Sequence, residues 1–385
     1  MNYDEASLEL HKRCHGKLSV ESVVQIENRD DLSTVYTPGV AEPCRAIAVN
    51  KELAWDLTIK GHTVAVVTDG SAVLGLGNIG PEAGLPVMEG KAALFKRFAG
   101  VDAFPICLAT QDVDEIVETV KRIAPGFGGI NLEDIAAPAC FEIERRLIEE
   151  LDIPVMHDDQ HGTAIVVLAG LLNALKVAGK QLEDVSVVIS GAGAAGMGVT
   201  HLLFEAGMTK LAMVDSKGII EPGREGMNTY KEELAARINP SGKGGTLADA
   251  LDGADVFIGV SGAGGSLTQE MIRRMAPLPI IFAMSNPDPD IVPDDARSAG
   301  AHIIATGRSD FPNQVNNVLV FPGIFKGVLE GRLRRITPAM CVAAAHALAG
   351  MVPEPTTEKI LPSPFEPHVA DVVAQAVKQV ASYGI

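Results

Sequence analysis

Val185-Ser-Val-Val-Ile-Ser190, a β-branched run, meets Gly191-Ala-Gly-Ala-Ala-Gly196 and passes straight into the helical stretch Met197–Glu205. The next apolar run, Lys210–Val214, closes on Asp215. A G-x-G-x-x-G turn set between a strand and a helix seats a pyrophosphate. Its first glycine makes the tight turn, its second admits the phosphates to the backbone, and its third lets the helix pack close. The helix N-terminus then favours the negative charge. Gly191, Ala192, Gly193, Ala194, Ala195 and Gly196 are therefore the expected dinucleotide-binding residues. Asp215 is placed to accept a hydrogen bond from a free ribose 2′-hydroxyl, which favours NAD. Lys217, two residues on, could neutralise the 2′-phosphate of NADP.

A second copy of the pattern, Gly75-Leu-Gly-Asn-Ile-Gly80, sits seven residues past a strand and is followed by Pro81 rather than by a helix opening. It reads as a substrate-side or domain-interface loop. Continuous β-branched runs recur at Thr63–Thr68, Ala103–Leu108, Val256–Val260, Ile280–Met284 and His302–Ala305. They do not alternate with polar residues, as befits strands buried on both faces. Helical spacing between them, at Met88–Phe98, Val113–Arg122 and Cys140–Leu151, implies α/β architecture with parallel sheets. The expected fold has two domains: an α/β substrate and metal domain at 1–161 and a doubly wound, Rossmann-like cofactor domain at 162–310. A helical tail at 311–385 is expected to pack back on the first domain.

Composition narrows the function. The 385 residues carry 32 basic and 49 acidic side chains, a formal charge of −17, which repels nucleic acid and anionic membranes alike. Aromatics make up 4 %, too few for a binder that stacks single-stranded bases. The apolar stretches Ala164–Leu172 and Met340–Ala349 are far short of a membrane span. Met1–Leu10 lacks a basic-then-apolar leader pattern, and five cysteines without a C-x-x-C pair suit a reducing compartment. A cytoplasmic protein is expected.

Two acidic clusters follow short strands: Asn131-Leu-Glu-Asp134 after Gly-Gly-Ile, and His157-Asp-Asp159 after Ile-Pro-Val-Met. Ligands of parallel sheets bind at the C-terminal strand edge, where Glu133, Asp134 and Asp159 would converge. Three carboxylates in a partly dry cleft require a cation, and oxygen ligands suit Mg²⁺ or Mn²⁺. His157-Asp-Asp-Gln-His161 has two histidines four apart. It lacks the glutamate and the helical setting of a zinc peptidase site. Lys91 opens a mostly apolar stretch, where desolvation should lower its pKa and make it a usable base. Tyr36 lies in the turn Tyr-Thr-Pro-Gly-Val-Ala.

These segments together resemble malic enzymes in their short form. The resemblance runs in order through Tyr36-Thr-Pro-Gly-Val-Ala, Val67-Thr-Asp-Gly70, Leu74-Gly-Leu-Gly-Asn-Ile-Gly80 and Gly90-Lys91. It continues through Asn131-Leu-Glu-Asp134, His157-Asp-Asp-Gln-His-Gly-Thr163, Gly191–Gly196, Ser285-Asn-Pro287 and Asn316-Asn-Val-Leu-Val-Phe-Pro-Gly323. It implies oxidative decarboxylation of malate to pyruvate and CO₂ with a divalent metal and NAD or NADP. By position Lys91 matches the family's general base and Tyr36 its general acid. Glu133, Asp134 and Asp159 match the metal ligands, with Asp158 behind them. Asn286 and Asn317 match amides near substrate and nicotinamide. The resemblance departs at Ala72, where long-form relatives carry a carboxylate-binding arginine.

Two other readings use parts of the same pattern. A non-oxidative oxaloacetate decarboxylase would share the metal and enolate chemistry without forming NADH. A dinucleotide-binding sensor with a dead site predicts loss of Tyr36, Lys91 or one of the three acids, and all five are present. The apolar tail helices make a homodimer the expected assembly.

Overall fold

A computed structural model describes residues 3–73 and 75–383. Leu74 of the first glycine loop, Met1 and Asn2 of the leader reading, and the last two residues of the tail lie outside the described residues. The chain opens with helices α1 (Tyr3–Cys14), α2 (Arg29–Val35), α3 (Ala41–Val49) and α4 (Ala54–Leu57). The first sheet joins β1 (Thr63–Thr68), β2 (Asp102–Cys107), β3 (Gly129–Leu132) and β4 (Val155–His157) in the order β2-β1-β3-β4, every pair parallel. Helices α5 (Pro81–Ala99), α6 (Val113–Ile123) and α7 (Ala139–Glu150) make its crossovers. All six residues of β1 are buried, which is why it reads as an unbroken apolar run.

Pro81 is the first residue of α5, so the first glycine loop does lead into a helix, contrary to the sequence reading. The missing N–H of proline is an orphan at that position in any helix, and its fixed φ suits the opening turn. Gly80, at φ 84°, supplies the left-handed backbone ahead of it. Gly100, at φ 70°, ends the helix.

The second sheet joins β5 (Val187–Ser190), β6 (Leu211–Asp215), β7 (Gly218–Ile219), β8 (Val256–Gly259), β9 (Ile280–Ala283) and β10 (Ile303–Thr306). Their order is β10-β9-β8-β5-β6-β7. The sheet is parallel apart from β7, a two-residue antiparallel edge that the sequence reading did not include. Its helices are α9 (Ala194–Glu205), α10 (Thr229–Ile238), α11 (Leu247–Leu251), α12 (Gln269–Arg273) and α13 (Pro293–Ser298). Strand order reverses between β6 and β8 about β5, the switch point at which doubly wound sheets bind dinucleotides.

Helix α8 (Asp158–Ala178) joins the two sheets. Its 21 residues are longer than the run Ala164–Leu172 suggests, and by length and composition alone it could span a membrane. It is instead a core helix: 72 % of its apolar window is buried within the protein, against α9 and the tail helix α15 (Pro338–Gly350). Asn173, which interrupts the apolar run, donates to Ala349 O at 2.9 Å and to Ile360 O at 2.8 Å. The tail adds α14 (Phe321–Glu330) and α16 (Val369–Tyr383) around α15. Phe321 and Phe325 meet Phe95 of α5 edge-on, with ring centroids 4.7 and 5.4 Å apart. Each such fully buried phenylalanine contributes about 2–3 kcal/mol.

Candidate active site

Strands β3 and β4 are neighbours, with Leu132 opposite His157. Glu133-Asp134 and Asp158-Asp159 therefore leave the same sheet edge side by side. The amide of Glu133 donates to Val67 O of β1 at 2.9 Å, and Asn131 Nδ2 donates to Glu133 Oε2 at 2.8 Å. Asp134 adopts φ 54°, a left-handed conformation that aspartate tolerates better than most residues, and its N–H donates to Asp159 Oδ2 at 2.9 Å. One oxygen each from Glu133, Asp134 and Asp159 lies within 4.8 Å of the others.

Lys91 reaches this edge from α5. Its Nζ lies 2.5 Å from Asp158 Oδ2 and 2.8 Å from Glu133 Oε1, and 4.2 Å from the centroid of the Phe321 ring. Burial works to lower its pKa, as the sequence suggested, but Asp158 and Glu133 outweigh burial and raise it above the ordinary lysine value. In this state Lys91 is an ammonium rather than the neutral amine expected from desolvation. Asp158, with no exposed surface, also accepts from Asn317 Nδ2 at 2.5 Å. Its side chain folds over Gly162, where a Cβ would lie 1.9 Å from Oδ1.

The donor set fits a hard divalent cation. Glu133, Asp134, Asp158 and Asp159 face one lysine, and the buried Oδ1 atoms of Asp158 and Asn131 have no hydrogen-bond partner among the described residues. Burial pushes the Glu133 carboxyl well above its usual value, and its three acidic neighbours add to this against Lys91. A cation bound here would remove that penalty.

At the second sheet, the turn after β5 is built by close approach. A Cβ on Gly191, at φ 121°, would lie 2.7 Å from Ser261 N, and one on Gly196 would lie 1.8 Å from Gly191 O. Gly193 caps α9 with no atom within 4 Å of its Cβ position, flanked by Ala192, Ala194 and Ala195. Asp215 is paired: Oδ2 accepts from Arg224 Nη2 at 2.6 Å and Lys231 Nζ at 2.8 Å, while Oδ1 takes Lys217 N at 2.9 Å. Burial pushes its carboxyl up, but these partners win and bring its pKa down to about 2.

The two edges touch. A Cβ on Gly198 of α9 would lie 2.4 Å from Gln160 O, so the dinucleotide helix packs directly on the first turn of α8. The first glycine loop bridges the sheets as well, with Gly75 held against the Asn286 carbonyl. Asn286 itself is exposed, on a turn that Asp290 secures through Ser285 N at 3.1 Å and Ser285 Oγ at 3.0 Å. Lys91, Glu133, Asp134, Asp158, Asp159 and Asn317 are thus brought together. Tyr36 is not: it caps α2 with 67 % of its surface exposed, and its hydroxyl has no hydrogen-bond partner among the described residues.

Sequence reasoning missed Arg224, Lys231 and Glu144. Arg224 and Lys231 carry no pattern that ties them to Asp215. Glu144 did leave a signal: it falls four residues after Cys140 and three before Leu147, on the apolar face of α7.

Residues 15–148 match the family model described as malic enzyme, N-terminal domain, and residues 160–384 match malic enzyme, NAD binding domain. The chain belongs to the malic enzyme family. It is 58 % identical to a Bacillus subtilis protein named bifunctional malic/malolactic enzyme, over 99 % of this chain and 93 % of that one. It is 50 % identical to an NADP-dependent malic enzyme of Halomonas elongata, over 98 % of this chain and 93 % of the relative. The crystal structure of an NAD-dependent malic enzyme from Thermotoga maritima superposes with a TM-score of 0.93 at 51 % identity, covering 96 % of this chain and 98 % of that one. This malic enzyme therefore has a parallel-sheet α/β fold with a dinucleotide-binding unit, as its sequence implies.

Proposed function

We propose that this malic enzyme oxidises (S)-malate to pyruvate and CO₂ while reducing NAD or NADP, with residues 1–161 supplying the substrate and cation site and residues 162–310 the dinucleotide site. The carrying observation is the ion cluster of Lys91, Glu133 and Asp158, set beside the Glu133–Asp134–Asp159 oxygens and one helix contact from the glycine turn. Glu133, Asp134 and Asp159 would hold Mg²⁺ or Mn²⁺, which would supply Lewis-acid polarisation of the substrate oxygen and stabilise negative charge developing there. Lys91 receives the C2 hydroxyl proton at Nζ as hydride departs for the nicotinamide. Glu133 and Asp158 are the two charges that keep Lys91 protonated, and a cation drawing on Glu133 would weaken one of them. Asn317 steadies Asp158, and Asn286 would supply an amide near the nicotinamide. Tyr36 delivers the proton that C3 needs to become a methyl group.

Tyr36 acts in the site of a second copy of this chain. No residue from 3 to 62 is buried, and fifteen of the twenty-one strongly exposed large hydrophobic side chains among the described residues lie between Tyr3 and Ile59. An apolar surface of that extent marks an interface, and a homodimer would cover it while carrying Tyr36 across. Mixing inactive Lys91→Ala and Tyr36→Phe subunits tests this directly. If Tyr36 acts in trans, half the dimers are hybrids with one intact site, restoring about a quarter of wild-type activity. No recovery on subunit exchange would place Tyr36 in its own subunit's site. Pyruvate and reduced dinucleotide forming in step from malate and Mn²⁺ checks the reaction itself, and pyruvate without NAD(P)H would point to bare decarboxylation. The unpaired cysteines fit work in the cytoplasm.

The likeness to the bifunctional relative favours a second outcome at the same site. If NADH stays bound after CO₂ leaves, its hydride can return to C2 of pyruvate and, with a proton, give lactate and NAD. Lactate made from malate in excess over NAD would establish it.

A further inference from the structure

The first turn of α8 carries two adjacent acids with different partners. Asp158 faces Lys91 and Asn317, whereas Asp159 faces Asp134. Consecutive helical residues point about 100° apart, so the angular register of this turn decides which acid faces Lys91 and which faces Asp134. No side chain of His157 caps the helix. The restraint comes from α7. Glu144, 6 % exposed, accepts from the His157 N–H at 2.7 Å, from Gln160 Nε2 at 2.9 Å and from His161 Nε2 at 3.1 Å. A carboxylate buried on an apolar helix face needs such donors, and all three come from one helical turn. Burial pushes Glu144 up, but His161 and His157 outweigh it and keep the carboxylate ionised.

An ionised carboxylate only accepts, so the Gln160 amide nitrogen must face Glu144. That nitrogen also lies 3.1 Å from His157 Nδ1. His157 Nε2 lies 3.2 Å from Asp159 Oδ2. Glu144, the Gln160 amide, the His157 imidazole and Asp159 thus follow one another in close contact. We propose that Glu144 is a positioning residue that fixes the angular register of Asp158 and Asp159, holding the second toward the cation and the first toward Lys91. This rests on the reading of Glu133, Asp134 and Asp159 as the cation site.

The test is Mn²⁺ affinity, read by electron paramagnetic resonance on wild type, Glu144→Gln and Asp159→Asn, with NADH affinity read by fluorescence on the same samples. Glu144→Gln should bind Mn²⁺ about 10-fold or more weakly while NADH affinity stays unchanged. Wild-type Mn²⁺ affinity in Glu144→Gln overturns the inference, as does an equal loss of Mn²⁺ and NADH binding, which would mark a merely structural role. Asp159→Asn binding Mn²⁺ as tightly as wild type would instead remove the cation reading beneath it. Should Glu144→Gln fail to fold, Gln160→Leu decides: it leaves the His157 and His161 bonds in place, and weaker Mn²⁺ binding supports the proposal while unchanged binding overturns it.

Discussion

At the C-terminal edge of the first sheet Lys91, Glu133, Asp134 and Asp158 are all less than a tenth exposed, and ion pairs and hydrogen bonds run among them. At the same edge of the second sheet no atom beyond its chain neighbours comes within 4 Å of the Gly193 Cβ position among the described residues, and Gly191 and Gly196 bring backbone against backbone. Both edges follow the rule that parallel sheets bind ligands where their strands end. They follow it by opposite means. The first works through interlocked charged side chains, so removing atoms should damage it. The second works through bare backbone, so adding atoms should damage it.

Lys91→Ala is the harshest way to break the first edge. Malate turnover should fall about 10³-fold, within the range of a lost general base, while NADH binding persists. Asp158 and Glu133 would be left buried without their counter-charge, which costs about 3–5 kcal/mol. Mn²⁺ should recover part of that loss in thermal melts. Turnover within tenfold of wild type would take Lys91 out of the chemistry.

Gly196→Ala makes the opposite change at the second edge. Its Cβ would lie 1.8 Å from a backbone oxygen that cannot move independently, and overpacking of this kind costs about 2–3 kcal/mol, or about 10²-fold in NADH affinity. Mn²⁺ affinity should not change. Equal NADH binding by Gly196→Ala and wild type would mean that the turn does not hold the pyrophosphate.

The contrast also explains what could be read from the chain. Backbone turns are local, so Gly191–Gly196 declared itself through spacing, and β1, β5 and β9 through unbroken apolar runs. Pro81 misled because proline both ends loops and begins helices. The sign of the Lys91 shift was not legible, since it depends on Asp158 and Glu133, 67 and 42 residues away in sequence and brought within 3 Å only by the fold. Glu144 was hidden among the charged residues of Glu142–Glu150, although its place on the apolar face of α7 marked it. The carboxylate trio was legible because each acid follows a strand directly, and strand ends converge by topology rather than by side-chain detail.

Charge does enter the second edge at Asp215, and Lys231→Gln measures how far it matters. Lys231 lies 2.8 Å from Asp215, where a 2′-phosphate would add negative charge. Its loss should lower kcat/KM for NADP about tenfold, the worth of one charge-assisted hydrogen bond, and leave NAD nearly unaffected. Equal losses with both dinucleotides would show that Lys231 steadies the loop rather than discriminating between them.

Asp215→Asn asks the gentlest question, whether those pairs also hold the fold. The carboxyl pKa stands at about 2 in the protein against an ordinary 3.8, so folding favours the ionised form. A depressed carboxyl stabilises the protein above its unfolded pKa, near pH 4, and that contribution disappears as pH falls toward 2. A shift of this size corresponds to about 2.5 kcal/mol for a fully dry group. Solvent near the Arg224 and Lys231 pairs screens it to about 1 kcal/mol. In urea unfolding, Asp215→Asn should therefore be less stable than wild type at pH 7 by about that amount, and the gap should close between pH 4 and pH 2. A gap that stays constant across that window would mean that Asp215 contributes through shape rather than charge, and the second edge would then depend on backbone alone.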